Sequence, residues 1–300
     1  MKYRILSLYI LLFSCSIQSK EIAITFDDAP RSNSHYFSGA ERTKRIINEL
    51  KQHDTKAMFF VTTKNLNAKT QQRIDNYHNA GHPLANHSQS HLWLHRTPVK
   101  EYIQDILVAD KKLAHYKNFQ KLYRFPFLDE GRTIEKRDAL RQFLKSNGYK
   151  NGYVTIDNYD WYMDSLFQKA TKDKLRLNKE KLRSFYVDTL VSAANYYNDL
   201  AVKHLERSPK HLLLLHENDL AALFIGDLIT ALKKDGWKII PPLKAYEDPI
   251  ATQIPDTLFN GQGRIAALIA EKGVPRKQLI HFSEDEAKLK QLFETDVVTQ

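Results

Sequence analysis

The chain has 300 residues, of which 42% are hydrophobic and 27% charged, and its formal net charge is +10. This composition excludes a disordered chain, and the length fits one large α/β barrel domain or two smaller domains. No run of Lys or Arg exceeds two residues, so the charge favours a basic soluble surface over a nucleic-acid-binding arm. An anionic polymer of the cell envelope is the alternative partner for this charge.

The first 19 residues have the pattern of an export signal. Lys2 and Arg4 precede the apolar run 5–13, and small or polar residues follow it. The run is too short to span a bilayer as a mature helix. We therefore expect an exported protein, periplasmic or secreted. Cys15 is the single cysteine and leaves one alternative open, a lipoprotein held on a membrane through that residue.

From residue 21 onward, short apolar runs alternate with amphipathic helical patterns. Such alternation indicates parallel strands joined by helical crossovers, and it predicts an α/β barrel or sheet with about seven strands. The predicted strands are Ile22–Thr25, Ala57–Val61, Pro83–Ala85, Leu122–Phe125, Tyr153–Ile156, Leu212–Leu215 and Trp237–Ile240.

Three segments are predicted along the chain. Residues 1–19 form the signal peptide, 20–249 the main domain and 250–300 a C-terminal extension with short helices. A charged, helix-rich insertion at about 165–207 interrupts the main domain, and we expect it to form a rim over the barrel mouth.

Polar clusters follow five of the predicted strands. In parallel barrels and sheets the functional groups gather at the carboxyl ends of the strands, so these clusters predict one shared active site. They are Asp27 with Asp28, the segment NHSQSHLWLH at 86–95, Arg124, the segment DNYDW at 157–161, and His216.

His87 and His91 are four residues apart, which on a helical turn would place both imidazoles on one face. A carboxylate from the first strand would complete a His-His-Asp site. This donor set suits Zn²⁺, with Co²⁺, Ni²⁺ and Mn²⁺ as the alternatives. The second carboxylate would then be free to act as a general base. His95 continues the spacing but is crowded by apolar neighbours, and we interpret it as structural.

Asp27 and Asp28 would point to opposite faces of a regular strand. Both can serve one site only if the chain leaves regular strand geometry there. Pro30 favours such a departure, because proline removes a backbone donor and restricts the residue before it.

The remaining polar residues fit supporting roles. Arg124 is permanently charged and could orient the base carboxylate through two hydrogen bonds. His216 is placed to protonate a leaving amine, and Asp160 could pair with it and raise its pKa. Tyr159 and Trp161 offer flat apolar faces on which a sugar ring could stack.

Five motifs occur in chain order, and together they resemble the polysaccharide deacetylase family, also known as carbohydrate esterase family four or the NodB homology domain. The resemblance covers residues 21–240. The motifs are TFDD at 25–28, HSQSH at 87–91, RFPF at 124–127, DNYDW at 157–161 and LLLLH at 212–216.

The resemblance implies a distorted (β/α) barrel and a division of labour among the candidate residues. It makes Asp27 the catalytic base and His216 the general acid. It makes Arg124 and Asp160 the residues that tune this base and acid, although Asp157 of the same motif could exchange roles with Asp160. The implied metal ligands are Asp28, His87 and His91.

The expected activity is metal-dependent removal of N-acetyl groups from N-acetylglucosamine units of peptidoglycan or chitin-like oligomers. The alternatives are an O-acetyl esterase of the xylan type, a non-sugar amidase, and a non-catalytic glycan-binding protein. No nucleic acid and no stable protein partner is expected. The predicted substrate-binding residues are Trp161, Leu214, Tyr36 and Pro126, with a backbone N–H near Tyr36 or in the RFPF segment stabilising the oxyanion.

Overall fold

The computed structural model describes residues 19–299. Cys15 and nearly all of the predicted signal peptide lie outside the described residues. Within residues 19–299, none of the helices combines the length and apolar character that a membrane span requires.

Within the described residues the sheet has seven strands, and every pair is parallel. The strand order is β5-β4-β3-β2-β1-β6, and β7 pairs with the start of β1. The strands are β1 Glu21–Ala29, β2 Met58–Val61, β3 Leu84–Asn86, β4 Phe119–Tyr123, β5 Lys150–Asn151, β6 Lys210–His216 and β7 Lys238–Ile239.

Strands β1 and β6 are mainly apolar. In β1 Ile22, Ile24 and Phe26 are fully buried, and in β6 Leu212 and Leu213 are as well. Continuous apolar runs of this kind are typical of parallel strands covered on both faces, where alternation with polar residues would bury unpaired polar groups. Strands β1 and β6 therefore form a buried, mainly apolar pair, and the polar residues of the predicted site lie near their carboxyl ends.

The chain after β5 brings the two edges of the sheet together. The predicted strand Tyr153–Ile156 forms no ladder there; its Ile156 makes a single parallel bridge to Leu213. The backbone N–H of Gly152 still bonds to Tyr123 of β4 at 2.7 Å, whereas Thr155 and Ile156 bond to β6. The chain crosses from one edge to the other within a few residues. The prediction of a distorted (β/α) barrel is confirmed.

Helices cover the outside of the barrel, and ten α-helices are described in residues 19–299. They are α1 Gly39–Gln52, α2 Ala68–Asn79, α3 Val99–Leu113, α4 Ile134–Ser146, α5 Asp160–Lys172, α6 Lys179–Leu205, α7 Asp219–Lys234, α8 Pro242–Ala245, α9 Arg264–Ala270 and α10 Glu286–Leu292.

The predicted helical insertion consists of α5 and the long helix α6. Helix α6 packs against α7 and α9 and contributes no side chain to the lining of the large cleft at the barrel mouth. The expectation of a rim made by this insertion is therefore wrong. Instead, the cleft is lined by four residues from the chain after α8: Leu258, Asn260, Gly261 and Arg276.

The C-terminal segment, residues 250–299, is packed onto the barrel. Ile265, Leu289 and Phe293 belong to the same hydrophobic core as strands β1 and β6. Its backbone is also hydrogen-bonded to the barrel, since Arg264 N–H donates to Val154 O at 2.7 Å. The segment contains short helices as expected, whereas the domain boundary at residue 249 stays a prediction.

Glu217, which follows β6, links several outer elements. Its side chain is fully buried and accepts hydrogen bonds from Thr43 at 3.0 Å, Tyr77 at 2.8 Å and Arg73 at 2.6 Å. It also accepts the backbone N–H of Arg31 at 2.7 Å. One carboxylate thereby fixes α1, α2 and the loop after β1 around the end of β6.

Glu217→Gln is expected to lower the free energy of unfolding by about 3–5 kcal/mol, because it leaves the buried guanidinium of Arg73 without a charge partner. Urea unfolding of purified protein measures the change. Glu247→Gln, which removes an exposed pair to Lys244, is the matched control and should cost less than about 1 kcal/mol. Equal losses in the two variants would contradict the role assigned to Glu217.

Candidate active site

The adjacent aspartates lie at a bulge near the end of β1. The register of β1 against β2 shifts between Phe26 and Ala29, and Asp28 has a φ of 66°, in the left-handed region. Both carboxylates therefore face His87. Its Nε2 lies 3.6 Å from Oδ2 of Asp27 and 3.7 Å from Oδ1 of Asp28. The expected departure from regular strand geometry is confirmed.

The two histidines of the HSQSH motif lie in a loop and not on a helical turn, so that part of the prediction is wrong. Ser88 and His91 both have positive φ values, 75° and 56°. The carboxylate of Asp105 holds the loop by accepting the backbone N–H groups of residues 89 and 90. The loop brings the imidazole centroids of His87 and His91 to 4.9 Å.

Each of the two imidazoles has a ring nitrogen placed to bind a metal ion. His87 Nδ1 donates a hydrogen bond to the backbone oxygen of Arg124 at 2.9 Å. This leaves Nε2 as the ring nitrogen that can bind a metal ion. Burial, together with the charge of His87, lowers the pKa of His91 to about 4. Burial would raise the pKa of Asp28, but the neighbouring imidazoles outweigh this and lower it to about 2.

These three side chains fit a divalent metal. The ligand atoms of Asp28, His87 and His91 all lie within 4.8 Å of one another. Oδ1 of Asp28 is 3.4 Å from Nε2 of His91. Two ligands of one tetrahedral zinc ion are roughly 3.4 Å apart, given bonds of about 2.1 Å. Two neutral imidazoles and one carboxylate form a donor set that Zn²⁺ accepts.

Arg124 holds the second carboxylate. Its guanidinium is fully buried, and Nη1 donates to Oδ1 of Asp27 at 2.6 Å and to Thr25 at 2.8 Å. Nε donates to the backbone oxygen of Gly152 at 2.6 Å, and the guanidinium stacks over Phe60 at 3.7 Å. The structure brings Arg124 to Asp27 as predicted, but through one hydrogen bond and not the two that were expected. The contact fixes one oxygen of Asp27 and leaves Oδ2 directed toward the histidines.

His216 at the end of β6 is paired with a fully buried carboxylate. Its Nδ1 donates to Oδ1 of Asp160 at 2.6 Å, and its backbone N–H donates to Oδ2 at 2.9 Å. Burial would lower the pKa of His216, but the charge and hydrogen bond of Asp160 outweigh it and raise the pKa. Asp157 also lines the cleft, and its carboxylate accepts a hydrogen bond from the backbone N–H of Asn158. Of the two motif aspartates, Asp160 is the partner of His216.

The three-ligand cluster, Asp27 and His216 border one cleft of about 850 Å³. Its walls carry the aspartates and histidines of the site, together with apolar and aromatic side chains at the mouth. Two predicted substrate-binding residues, Trp161 and Leu214, lie on these walls. Leu214 is buried, whereas the Trp161 indole is half-exposed and contacts Tyr159. Behind the walls, Arg124 and Asp160 act on the cleft only through Asp27 and His216.

The structure does not bring Tyr36 or Pro126 to the cleft wall. Tyr36 packs against Phe37 and Phe167, and its backbone N–H donates to Ser34 Oγ at 3.2 Å. Pro126 is buried. The residue of the RFPF segment that borders the cleft is Phe127. Of the two places predicted to supply an oxyanion-stabilising N–H, the RFPF segment has a residue on the cleft wall and Tyr36 does not.

Sequence reasoning missed several residues of the cleft. Trp93 stacks on Phe127 with ring centroids 3.6 Å apart, and Phe127 in turn contacts His91. Trp93 lies two residues after the second histidine, a position that could have indicated it. Four missed residues follow motifs closely: Arg31, Leu128, Asp129 and Arg132. The others are far from the motifs in sequence, and nothing local indicates them: Leu258, Asn260, Gly261 and Arg276.

The family model for polysaccharide deacetylase matches residues 16–152. A peptidoglycan-N-acetylglucosamine deacetylase of Bacillus cereus is 28% identical over 154 residues, which are 51% of this chain and 50% of that protein. A second protein of that name and organism is 28% identical over 162 residues, 54% of this chain and 55% of that protein. The chain thus spans about half the length of these relatives.

Solved structures share the fold at lower identity. Peptidoglycan deacetylase PdaC from Bacillus subtilis has a TM-score of 0.51 and 22% identity, covering 78% of this chain and 92% of that one. The chitin deacetylase of Colletotrichum lindemuthianum has a TM-score of 0.52 and 17% identity, covering 75% of this chain and 86% of that one. The resemblance drawn from the motifs is confirmed: residues 16–152, a little under half of the chain, match the polysaccharide deacetylase family model.

Proposed function

We propose that this protein is an exported, metal-dependent hydrolase that removes N-acetyl groups from N-acetylglucosamine units of a polysaccharide. The observation that carries the proposal is the convergence, in one cleft, of a three-ligand cluster, a carboxylate beside it and a histidine bonded to a buried aspartate. The names of the Bacillus cereus relatives support peptidoglycan as the polymer. The N-terminal pattern of residues 1–19 supports export.

The metal site would be formed by Asp28, His87 and His91, with Zn²⁺ as the ion that the donor set suits best. When bound, such an ion would polarise the acetamide carbonyl and lower the pKa of water. Asp27 would take a proton from the attacking water on Oδ2, the oxygen that Arg124 leaves unbonded. The water oxygen then forms the new bond to the acetyl carbon.

His216 would complete the reaction by donating its Nε2 proton to the sugar nitrogen as the carbon–nitrogen bond breaks. Asp160 holds Nδ1, so the ring keeps the orientation and charge that this donation requires. The products are acetate and a free amine on the sugar. Leu214 borders the pocket and would contact the acetyl methyl group, while Trp161 and Trp93 offer faces for sugar rings.

Exhaustive chelation is expected to reduce acetate release from chitotetraose by at least about a hundredfold, because the carbonyl loses its main electrostatic stabilisation. Added Zn²⁺ should restore the rate, and Co²⁺, Ni²⁺ and Mn²⁺ are to be compared with it. Mass spectrometry of chitin, peptidoglycan and xylan fragments would identify the substrate by the exchange of acetyl for hydrogen. Full activity in protein shown to be metal-free would refute metal dependence, and loss of acetate from xylan alone would refute the N-acetyl substrate.

A further inference from the structure

Three arginine side chains from separate segments border the catalytic cleft. Arg31 follows β1, Arg132 lies just before α4, and Arg276 belongs to the C-terminal segment. Among the described residues, none of the three has a carboxylate within 4.0 Å. Several arginines elsewhere in the barrel are paired with carboxylates, as Arg42 is with Asp219 at 2.7 Å. The cleft therefore carries three guanidinium groups whose charge no protein group neutralises by direct contact.

Arg31 is the most informative of the three. Its Nη1 is buried and has no hydrogen-bond partner among the described residues. A buried donor of a charged group that stays unpaired is costly, and native proteins rarely retain one without a ligand or water to satisfy it. The Arg31 side chain lines the cleft, so a ligand bound there would lie beside this guanidinium.

The backbone at Arg31 is held firmly. Its N–H donates to the buried carboxylate of Glu217 at 2.7 Å, and its carbonyl oxygen accepts from Arg73 at 2.6 Å. Arg42 donates to the next carbonyl, that of Ser32, at 3.0 Å. The loop is therefore anchored to a buried ion-pair network, which presents the Arg31 side chain to the cleft in a fixed position before any ligand arrives.

The acidic side chains of the cleft are already engaged. Asp27 is bonded to Arg124, and Asp28 belongs to the metal-ligand cluster. Asp129 accepts hydrogen bonds from the backbone and ring of His95. Burial, and the charge of Glu284, raise the pKa of Asp157, which favours its neutral form. The three arginines are thus available to an anionic ligand.

We propose that Arg31, Arg132 and Arg276 bind a carboxylate of the substrate glycan, close to the acetamide that is hydrolysed. The proposal rests on the proposed function, because it gives the deacetylase a preference for carboxylate-bearing over neutral N-acetylated polymers. Guanidinium groups match carboxylates through paired hydrogen bonds and keep their charge at any physiological pH. In peptidoglycan such a carboxylate is carried by the lactyl group of the alternate sugar or by a peptide attached to it.

The test uses two matched tetrasaccharides of alternating N-acetylglucosamine and N-acetylmuramic acid. One has free lactyl carboxylates, and in the other they are converted to methyl amides. Wild-type protein loaded with Zn²⁺ should have a KM for the free acid that is on the order of tenfold lower. The preference should shrink in 0.5 M salt, because salt screens charges at an open cleft. A peptide-bearing tetrasaccharide distinguishes a carboxylate on the sugar from one on the peptide.

The triple variant Arg31→Gln, Arg132→Gln, Arg276→Gln is expected to abolish the preference, so that the ratio of the two KM values approaches one. Arg31→Lys keeps the charge without the paired geometry and should retain part of it. Arg45→Gln, outside the cleft, is the matched control and should retain it fully. A triple variant with an unchanged KM ratio would overturn the proposal.

Binding measured without turnover separates this proposal from the proposed function. Calorimetric titration of each tetrasaccharide into wild-type and triple-variant protein gives dissociation constants whether or not acetate is released. A preference for the free acid that depends on the three arginines supports the carboxylate site even if no substrate is deacetylated. Equal affinity for both tetrasaccharides in wild-type protein overturns it, even if chitotetraose is deacetylated.

Discussion

Asp28→Asn is expected to abolish metal binding, whereas Asp27→Asn is expected to retain the metal and to lose rate by about a hundredfold to ten-thousandfold. The two residues are adjacent in sequence, but the bulge gives them different surroundings. Asp28 lies 3.4 Å from Nε2 of His91 and within the three-ligand cluster. Asp27 is bonded through Oδ1 to Arg124 and directs only Oδ2 toward the site.

Loss of the metal from Asp28→Asn follows from the donor set. An amide oxygen carries no charge, and two neutral imidazoles then hold a divalent cation without a carboxylate to neutralise it. Asp27→Asn leaves the three ligands in place but removes the group that we propose accepts the proton. It also leaves the buried guanidinium of Arg124 unpaired, at a cost of about 3–5 kcal/mol in unfolding free energy.

Metal content by plasma mass spectrometry and acetate release, measured on the same preparations, distinguish the two variants. Circular dichroism melting shows whether Asp27→Asn remains folded at the assay temperature. Asp157→Asn is the matched control, because Asp157 lines the same cleft and is not part of the ligand cluster. Equal metal loss in Asp27→Asn and Asp28→Asn would refute the division of roles, as would full activity in either variant.

The sequence was sufficient to predict the barrel and its central site because both depend on local patterns. Apolar runs such as Leu212–Leu215 indicate buried parallel strands wherever they occur. Polar residues at the ends of those runs must meet at one end of the barrel, since parallel strands all end on the same side. The placement of Asp27, His87 and His216 around one cleft follows from these two rules.

Local geometry inside the site could not be predicted in the same way. The four-residue spacing of His87 and His91 suggested a helical turn, but positive φ values at Ser88 and His91 produce the same proximity in a loop. That conformation depends on the Asp105 carboxylate, which bonds to the loop from α3. Spacing alone does not distinguish the two solutions, because each brings the rings together.

The outer wall of the cleft was assigned to the wrong segment for a related reason. The charged helical insertion was expected at the barrel mouth, yet α6 packs on the outside against α7. The wall is completed by the C-terminal segment, with Asn260 and Arg276 in the cleft. Such contacts depend on tertiary packing between distant parts of the chain, and neither hydropathy nor periodicity in the segment indicates its partner.

Asp160→Asn is expected to move the alkaline limb of the pH–rate profile to lower pH. The general acid must be protonated, so the rate falls as pH rises through the pKa of His216. In the wild-type protein, burial lowers this pKa, but the charge and hydrogen bond of Asp160 outweigh it and keep the pKa above its ordinary value of about 6.5. Without the charge of Asp160, burial has the larger influence and the pKa falls.

The same pair predicts how stability depends on pH. The folded-state pKa of His216 is raised, so the pair contributes stability that is fully present below about pH 6.5 and is lost as pH rises through the folded pKa. The difference in unfolding free energy between wild-type protein and Asp160→Asn should therefore be larger at pH 6 than at pH 9. Urea unfolding at the two pH values measures it.

A second buried histidine–aspartate pair provides the control for the pH–rate measurement. Nδ1 of His95 lies 2.8 Å from Oδ2 of Asp129, at the cleft but outside the ligand cluster. Asp129→Asn should reduce stability, because the carboxylate also accepts the backbone N–H groups of His95 and Gly131. It should leave the alkaline limb where it is. An alkaline limb that moves in Asp129→Asn and not in Asp160→Asn would refute His216 as the acid, since only Asp160 contacts its ring.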